Sequence, residues 1–566
     1  MLKLLFVNCF VNCQLYREPI SKFPTFVLMK IISPCKLLFI SLFIPLLSWG
    51  QTAKDTLAEK YASEINVSDL SEYLHIIASD SMEGRATGEK GQKEAARYLA
   101  SKFKEFGVAP GVKGLEEGSY FQKFELEKKE WQDVYLNVGK DRKVFLEDFY
   151  AYGDLEFPEE TQADVIFAGY GIETGNYSDY VDPVTKEPLD VKDKFVILLP
   201  GEPIQNGQSL ITGDSSFSSW ANDWRRKVSL AQSKGAKAIL MVVGKTYKDF
   251  TLSRDRLKEH LAKPSLGFTY KDRPGTFFIS IDLAAETLGT STKVFSDEIE
   301  KRKKILAGDS KKRLKNFKPV SLTVKCSIKK SIIQTENVLG FIEGTDKKEE
   351  VIVLTAHYDH LGIEGDKICY GADDDGSGTV ALLELAQAFA QAKKEGHGPR
   401  RSILIMPVTA EEKGLMGSEY YSDHPVYPLE NTIANLNIDM IGRLDKAHKD
   451  NPDYIYLIGT NRLSTELHDI SEKANSTYVN LQLDYTFNSF NDPNRFYYRS
   501  DHYNFAKHNI PVIFYFNGVH EDYHKPTDTV DKIIFPKVEK ITRLIFYTAW
   551  ELANRENRIK VDVKEE

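Results

Sequence analysis

The stretch Val351-Ile352-Val353-Leu354-Thr355-Ala356-His357-Tyr358-Asp359-His360 decides the fold. Its apolar run reads as a buried strand, and a His-x-Asp pattern follows at the end of the run. The arrangement recurs downstream. Ser402-Ile403-Leu404-Ile405-Met406 leads to Glu411-Glu412, and Ile433 to Ile438 leads to Asp439. Pro511-Val512-Ile513-Phe514-Tyr515-Phe516 precedes the loop with His524. Helical patterns lie between and after these runs, at Thr379 to Ala390 and Lys537 to Ala553. Strands alternating with helices predict an α/β fold with a mainly parallel-centred sheet sandwiched by helices. Ligands of such sheets bind outside the carboxyl ends of the strands. The polar residues after the runs are therefore expected to converge, although they are separated in sequence.

Asp374, in Gly371-Ala372-Asp373-Asp374-Asp375-Gly376-Ser377-Gly378, adds a further carboxylate. Two histidines (His357, His524) and three carboxylates (Asp374, Asp439 and one of Glu411 and Glu412), with the other glutamate left over, form the inventory of a two-zinc hydrolase whose spare carboxylate is the general base. Each motif alone has a plainer reading. His-x-Asp is usually a polar loop, and Glu411-Glu412 alone would be a solvated helix start favoured by the helix dipole. A sharper competitor is a calcium-binding EF-hand loop running from Asp373 to Glu384. It is disfavoured because a strand precedes it, no second EF-hand is visible, and the helix leaving Gly378 would carry Glu384 away.

At these residues the chain resembles the co-catalytic zinc exopeptidases, the family of bacterial leucyl aminopeptidases, aminopeptidase Y and glutamate carboxypeptidase. The motifs occur in order as His357/Asp359, Gly371 to Gly378, Glu411 to Ser418, Asn437 to Met440 and Tyr523 to Asp528. The resemblance implies two zinc ions bridged by Asp374. His357 and Asp439 would complete one site, and Glu412 and His524 the other. It makes Glu411 the base and gives Asp359 the task of holding His357 through its other ring nitrogen. No ligand position departs from the pattern, which argues against a metal-free relative and a single-zinc cyclase-like relative.

Upstream, the Gly84-Arg85-Ala86-Thr87-Gly88 loop and the helix after Gly91 resemble the family's opening segment and are assigned no chemistry. Asp501 or His502 is a candidate to line the cleft, against a plain helix N-cap. From about Trp131 to Lys318 the sequence changes character. Strands at Val165 to Ile172 and Phe195 to Gly201, a helix at Arg225 to Lys234 and a strand to Val243 resemble the protease-associated domain, read here as a lid or access module or as a spacer. The expected division is 1–50 signal peptide region, 51–130 N-terminal part of the peptidase domain, 131–318 inserted domain, and 319–566 main part.

Met29-Lys30, the apolar run Leu37 to Leu47 and Ser48-Trp49-Gly50 read as a secretory signal starting at Met29, with a membrane anchor as the alternative. This implies export to a periplasmic or extracellular space, with no stable membrane span after cleavage. Beyond the signal only Cys326 and Cys369 remain, so a bridge is allowed but not required. The 566 residues suggest two or three domains, and net charge −8 with pI near 5.9 gives no nucleic-acid signal. The basic stretch Lys301 to Lys318 reads as a solvated helix or linker. The expected activity is removal of N-terminal residues from peptides. The alternatives are a glutamate-carboxypeptidase-like enzyme, with Arg443 or Arg499 reading substrate carboxylates, and a non-catalytic binding protein. Oligomeric state and side-chain preference are not legible.

Overall fold

The computed structural model describes residues 54–113, 118–175, 177–271 and 273–564. The signal expected at 1–50 lies outside the described residues. The four apolar runs form strands β1 (Lys347–His357), β2 (Arg401–Val408), β3 (Thr432–Ile438) and β4 (Val512–Phe516). They are the parallel centre of an eight-stranded sheet, in the order β2-β1-β3-β4. Gly340–Ile342 adds antiparallel beside β2, and Ala109–Pro110 adds outside it. Tyr454–Ile458 pairs antiparallel with β4 and parallel with Gln482–Asp484 at the other edge.

The central strands are mostly apolar because both faces of the sheet are covered. Ile352, Leu354 and Ala356 of β1 join a core with helices α1 (Lys90–Phe106), α2 (Gly378–Lys394) and α3 (Phe535–Asn554). Val351 and Val353 point the other way, into a core with Tyr421, Tyr497 and Phe505. This is the period-2 alternation of a strand, with apolar residues required on both sides. In register, His357 lies opposite Val408, Thr355 opposite Asn437 and Ile438 opposite Tyr515. The carboxyl ends of all four strands therefore finish at one level.

The second block has its own sheets. Phe149–Tyr152, Thr276–Ile279, Ala238–Val242, Phe195–Leu198 and Val165–Phe167 form one, parallel except at its first pair. The long strands Phe121–Val138 and Leu322–Val338 pair along their lengths in another. The expected boundary at residue 131 thus falls inside a strand. The helix expected at Arg225 to Lys234 is Trp224–Ser233, and the basic stretch begins in helix Thr292–Leu306 and continues without regular structure. Cys326 and Cys369 are both buried and free. Among the described residues, no helix is long and apolar enough to cross a membrane.

The opening helix depends on one close approach. A Cβ built on Gly91, in the first turn of α1, would meet the Met82 carbonyl oxygen at 1.8 Å. Gly91→Ala is therefore predicted to destabilise the chain by about 1–3 kcal/mol through overpacking. The check is the midpoint of urea unfolding, and an unchanged midpoint would contradict this packing.

Candidate metal centre

His357 is the last residue of β1, Asp439 follows β3 directly, and Glu411-Glu412 lie just past β2. His524 comes from the loop after β4, and Asp374 from the turn that opens α2. The three consecutive aspartates of that turn are sorted by their bonds. Asp375 accepts the backbone N–H groups of His357, Gly378 and Met440. Asp373 accepts those of Gly442 and the hydroxyl of Ser377, and faces His520. Gly378 has to be glycine, because a Cβ there would meet the Asp375 carboxylate at 2.4 Å. Asp374 remains to face the cleft. Glu384 is carried off along α2, where it accepts the N–H of Asn66. The EF-hand geometry is therefore absent.

Around Asp374 the donors converge. Its Oδ1 lies 3.2 Å from His357 Nε2, and its Oδ2 lies 3.2 Å from His524 Nε2. His524 Nε2 is also 3.2 Å from Glu412 Oε2. His357 Nε2 stands 3.7 Å from Asp439 Oδ1 and 3.8 Å from Glu411 Oε2. Nε2 of His357 and Oδ2 of Asp374 are buried without a hydrogen-bond partner among the described residues. Ligand atoms sharing a tetrahedral zinc ion at ~2.0–2.1 Å stand ~3.3 Å apart. The 3.2 Å spacings and the orphaned atoms fit metal ligation, with one oxygen of Asp374 turned to each histidine.

The electrostatics follow from crowding carboxylates in a buried place. Burial raises Glu411 well above an ordinary glutamate, with Glu412 and Asp439 adding to the shift and His357 opposing it. Burial also acts upward on Glu412, but its contacts with His360 and His524 outweigh this and bring it to about 2. Burial disfavours the His524 cation, yet Asp374 and Glu412 raise it to about 10.

The supporting residues were mostly not assigned from the sequence. His357 Nδ1 contacts the main-chain carbonyl of Asp359 at 3.0 Å, while the Asp359 carboxylate is 3.9 Å away. The expected carboxylate–histidine contact is thus made by the backbone. The carboxylate itself accepts the Glu411 N–H at 3.1 Å and the Thr87 hydroxyl at 2.7 Å. Ser500 donates to Asp439 Oδ2 at 2.7 Å and is held by Asn437. Asp528 accepts the N–H groups of Asp373 and Asp374. Asp501 and His502 lie buried behind the cleft. Asp501 is bonded by Ser418, and His502 stacks on Phe514 and is pushed by burial to about 3. His360 was overlooked: it is fully buried, with Nδ1 2.9 Å from Glu412 Oε1.

Arg85 is the strongest of these supports. It is fully buried and donates to the carbonyls of Tyr358, Ile77, Tyr370 and Gly371 at 2.7–2.9 Å. Burial lowers its pKa to about 10, while nearby carboxylates, Asp359 foremost, work against that.

Residues 337–549 match peptidase family M28. That span contains the four central strands and every residue of the converging cluster. The probable leucine aminopeptidase of Arthroderma otae is 29% identical over 214 residues, which is 37% of this chain and 55% of that one. Aminopeptidase YwaD of Bacillus subtilis is 25% identical over 240 residues, 41% of this chain and 48% of its own. A probable glutamate carboxypeptidase of Arabidopsis thaliana is 36% identical over 109 residues, covering 19% and 15%. The chain thus spans about half, or less, of the length of these curated relatives. The solved aminopeptidase from Aneurinibacillus sp. strain AM-1 superposes with a TM-score of 0.52 at 17% identity, over 90% of this chain and 98% of that one. That likeness shows a shared fold.

A lysine at position 85 would keep the charge but lose the planar fork. Arg85→Lys is predicted to cost about 2–4 kcal/mol, one or two charge-assisted hydrogen bonds. A denaturation midpoint equal to that of the parent chain would refute the role given to Arg85.

Proposed function

We propose that the protein is an exported zinc aminopeptidase that binds two zinc ions and removes N-terminal residues from peptides. One observation carries the reading: Asp374 offers its two oxygens to two different histidines, each at 3.2 Å. His357 and Asp439 would hold one ion with Asp374, and Glu412 and His524 the other. Bound zinc supplies Lewis acidity at the scissile carbonyl and lets a water ionise near neutral pH.

The chain's own residues do the rest. Glu411 takes the proton of the attacking water on a carboxylate oxygen and returns it to the nitrogen of the leaving amine. Asp359 fixes the Glu411 backbone N–H, and Thr87 fixes Asp359. Tyr523 lines the cleft, and burial keeps its hydroxyl protonated, so it can donate to the oxyanion. Met440, Phe496, Phe514, Phe516 and Val519 give the cleft an apolar wall for a substrate side chain. The carboxylates around it attract a protonated α-amine. We read 131–318 as an inserted protease-associated-like domain. Export rests on the apolar run Leu37 to Leu47.

A second reading has one specific observation behind it. Arg443 is committed, with Nη2 2.8 Å from Asp522 Oδ2. Arg499 lines the same cleft as Asp374 and Glu411, and no carboxylate pairs with it among the described residues. Its guanidinium lies over the Phe496 ring with no carboxylate opposite it among the described residues, which favours a substrate carboxylate, as a glutamate-carboxypeptidase-like enzyme requires.

Metal analysis of the purified chain is expected to give about two zinc ions, and calcium alone would overturn the reading. Glu411→Gln should retain both ions and lower kcat by ~10²–10⁴-fold, whereas Glu412→Gln should weaken one ion. Equal metal loss in both variants, with full turnover in excess zinc, would remove the assignment of this pair.

A substrate panel separates the two readings. Unblocked peptides and aminoacyl amides should be cleaved from the amino end, their acetylated forms far more slowly, and carboxyl-blocked forms about as well. Full activity on acetylated peptides, with a strict need for a free acidic carboxyl end, would instead select the carboxypeptidase and assign Arg499 its role.

A further inference from the structure

His360 has no part in the mechanism above, yet it lies against the centre. Its ring is fully buried, and neither nitrogen has a hydrogen-bond partner among the described residues. Nδ1 lies 2.9 Å from Glu412 Oε1 and 3.9 Å from Asp374 Oδ2. The ring is fixed in place. The His360 N–H donates to the Arg85 carbonyl, and a Cβ on Gly371 would meet the ring at 2.5 Å. Gly371 has φ +55° and no side chain, so the imidazole can pack directly on its backbone.

Glu412 therefore stands between two histidines, with one oxygen toward each: Oε1 toward His360, and Oε2 toward His524 at 3.2 Å. The two spacings differ, although His360, Asp374 and Glu412 also lie close enough together to share an ion. The 3.2 Å separation is close to the ~3.3 Å between ligands of one tetrahedral ion. The 2.9 Å separation is shorter, a direct approach of ring nitrogen and carboxylate oxygen that lacks the alignment of a hydrogen bond. His524 sits on a partly exposed loop, with 38% of its side chain accessible, whereas His360 is fully buried.

We propose that His360 is a positioning residue for Glu412. Its Nδ1 holds Oε1, so that Oε2 is presented on the side of His524 and Asp374. This rests on the zinc reading above and goes beyond it by assigning the residue that orients one ligand. A ligand without its outer partner typically binds metal 10–100-fold more weakly, as an order of magnitude.

The test is zinc affinity, measured by competition with a chromophoric chelator in the parent chain and in His360→Ala, His360→Asn and His524→Ala. His360→Ala is expected to weaken one of the two ions by ~10–100-fold and leave the other unchanged. His360→Asn, whose Nδ2 takes the place of Nδ1, is expected to recover most of that loss. Thermal melting of the zinc-free chains tells a folding defect from a site defect. Parent-like affinities in His360→Ala would overturn the proposal, as would equal weakening of both ions. His360→Asn losing one ion as completely as His524→Ala would overturn it too, by making His360 a ligand. A parent chain that takes up no zinc would remove the zinc reading itself, and this proposal with it.

Discussion

The structure depends on holding several carboxylates together where water cannot screen them. Asp359, Asp373, Asp374, Asp375, Glu411, Glu412, Asp439, Asp501 and Asp528 all gather at the carboxyl ends of four strands, most of them fully buried. Isolated buried charge is expensive and persists only when paired, hydrogen-bonded or bound to metal. The fold answers with fixed backbone N–H donors for Asp375, Asp373 and Asp528, and with a buried arginine beneath the loops. Once those carboxylates are committed, Asp374, Glu411, Glu412 and Asp439 are left around the cleft with three histidines. The chemistry proposed for the site follows from that division.

The division also explains which parts were legible in the sequence. β1 to β4 could be read because both faces of each strand are buried, so each run is mostly apolar, with β3 admitting the buried Asn435 and Asn437. The polar residues ending those runs could be read because a parallel sheet leaves its carboxyl ends open. Asp374 was different. Three identical side chains in a row have no internal signal of which one faces the cleft, and only the family resemblance singled it out. In the structure the choice is made by the backbone, since Asp375 reaches N–H groups on β1, after β3 and on α2. The lone Gly84-Arg85-Ala86-Thr87-Gly88 loop gave no hint of its task. Arg85 and Thr87 meet Tyr358 and Asp359 across more than 250 residues of chain, and such pairings have no periodicity. His360 stood in full view beside His-x-Asp, but one more histidine in a loop has no spacing to mark it.

The same argument accounts for the departure at Asp359. A carboxylate two residues after a metal-binding histidine is expected to reach back to the imidazole. Here the main-chain carbonyl takes that contact, which frees the carboxylate to accept the Glu411 N–H and the Thr87 hydroxyl. Asp359 therefore links the ends of β1 and β2 to the opening loop. It holds the position of Glu411 as much as that of His357.

The second block touches this machinery at a definable place. Phe124, Leu126, Leu266 and Phe268 share a small core with Ala410 and Met416, which flank Glu411 and Glu412. Phe124 stacks on Tyr420 with ring centres 4.3 Å apart, and Lys271 pairs with Glu419 and Asp423 at 2.7 and 2.5 Å. The lysine is over a third exposed, so its ion pairs add little to stability. The apolar contact carries most of the attachment. A shift of the strand Ser265–Phe268 would act on Ala410 and Met416 first, and through them on the residues between. The segment carrying the two glutamates is thus clamped from both sides, by Asp359 below and by the second block above. Any influence of that block on the cleft has to pass through these few aromatic and aliphatic side chains.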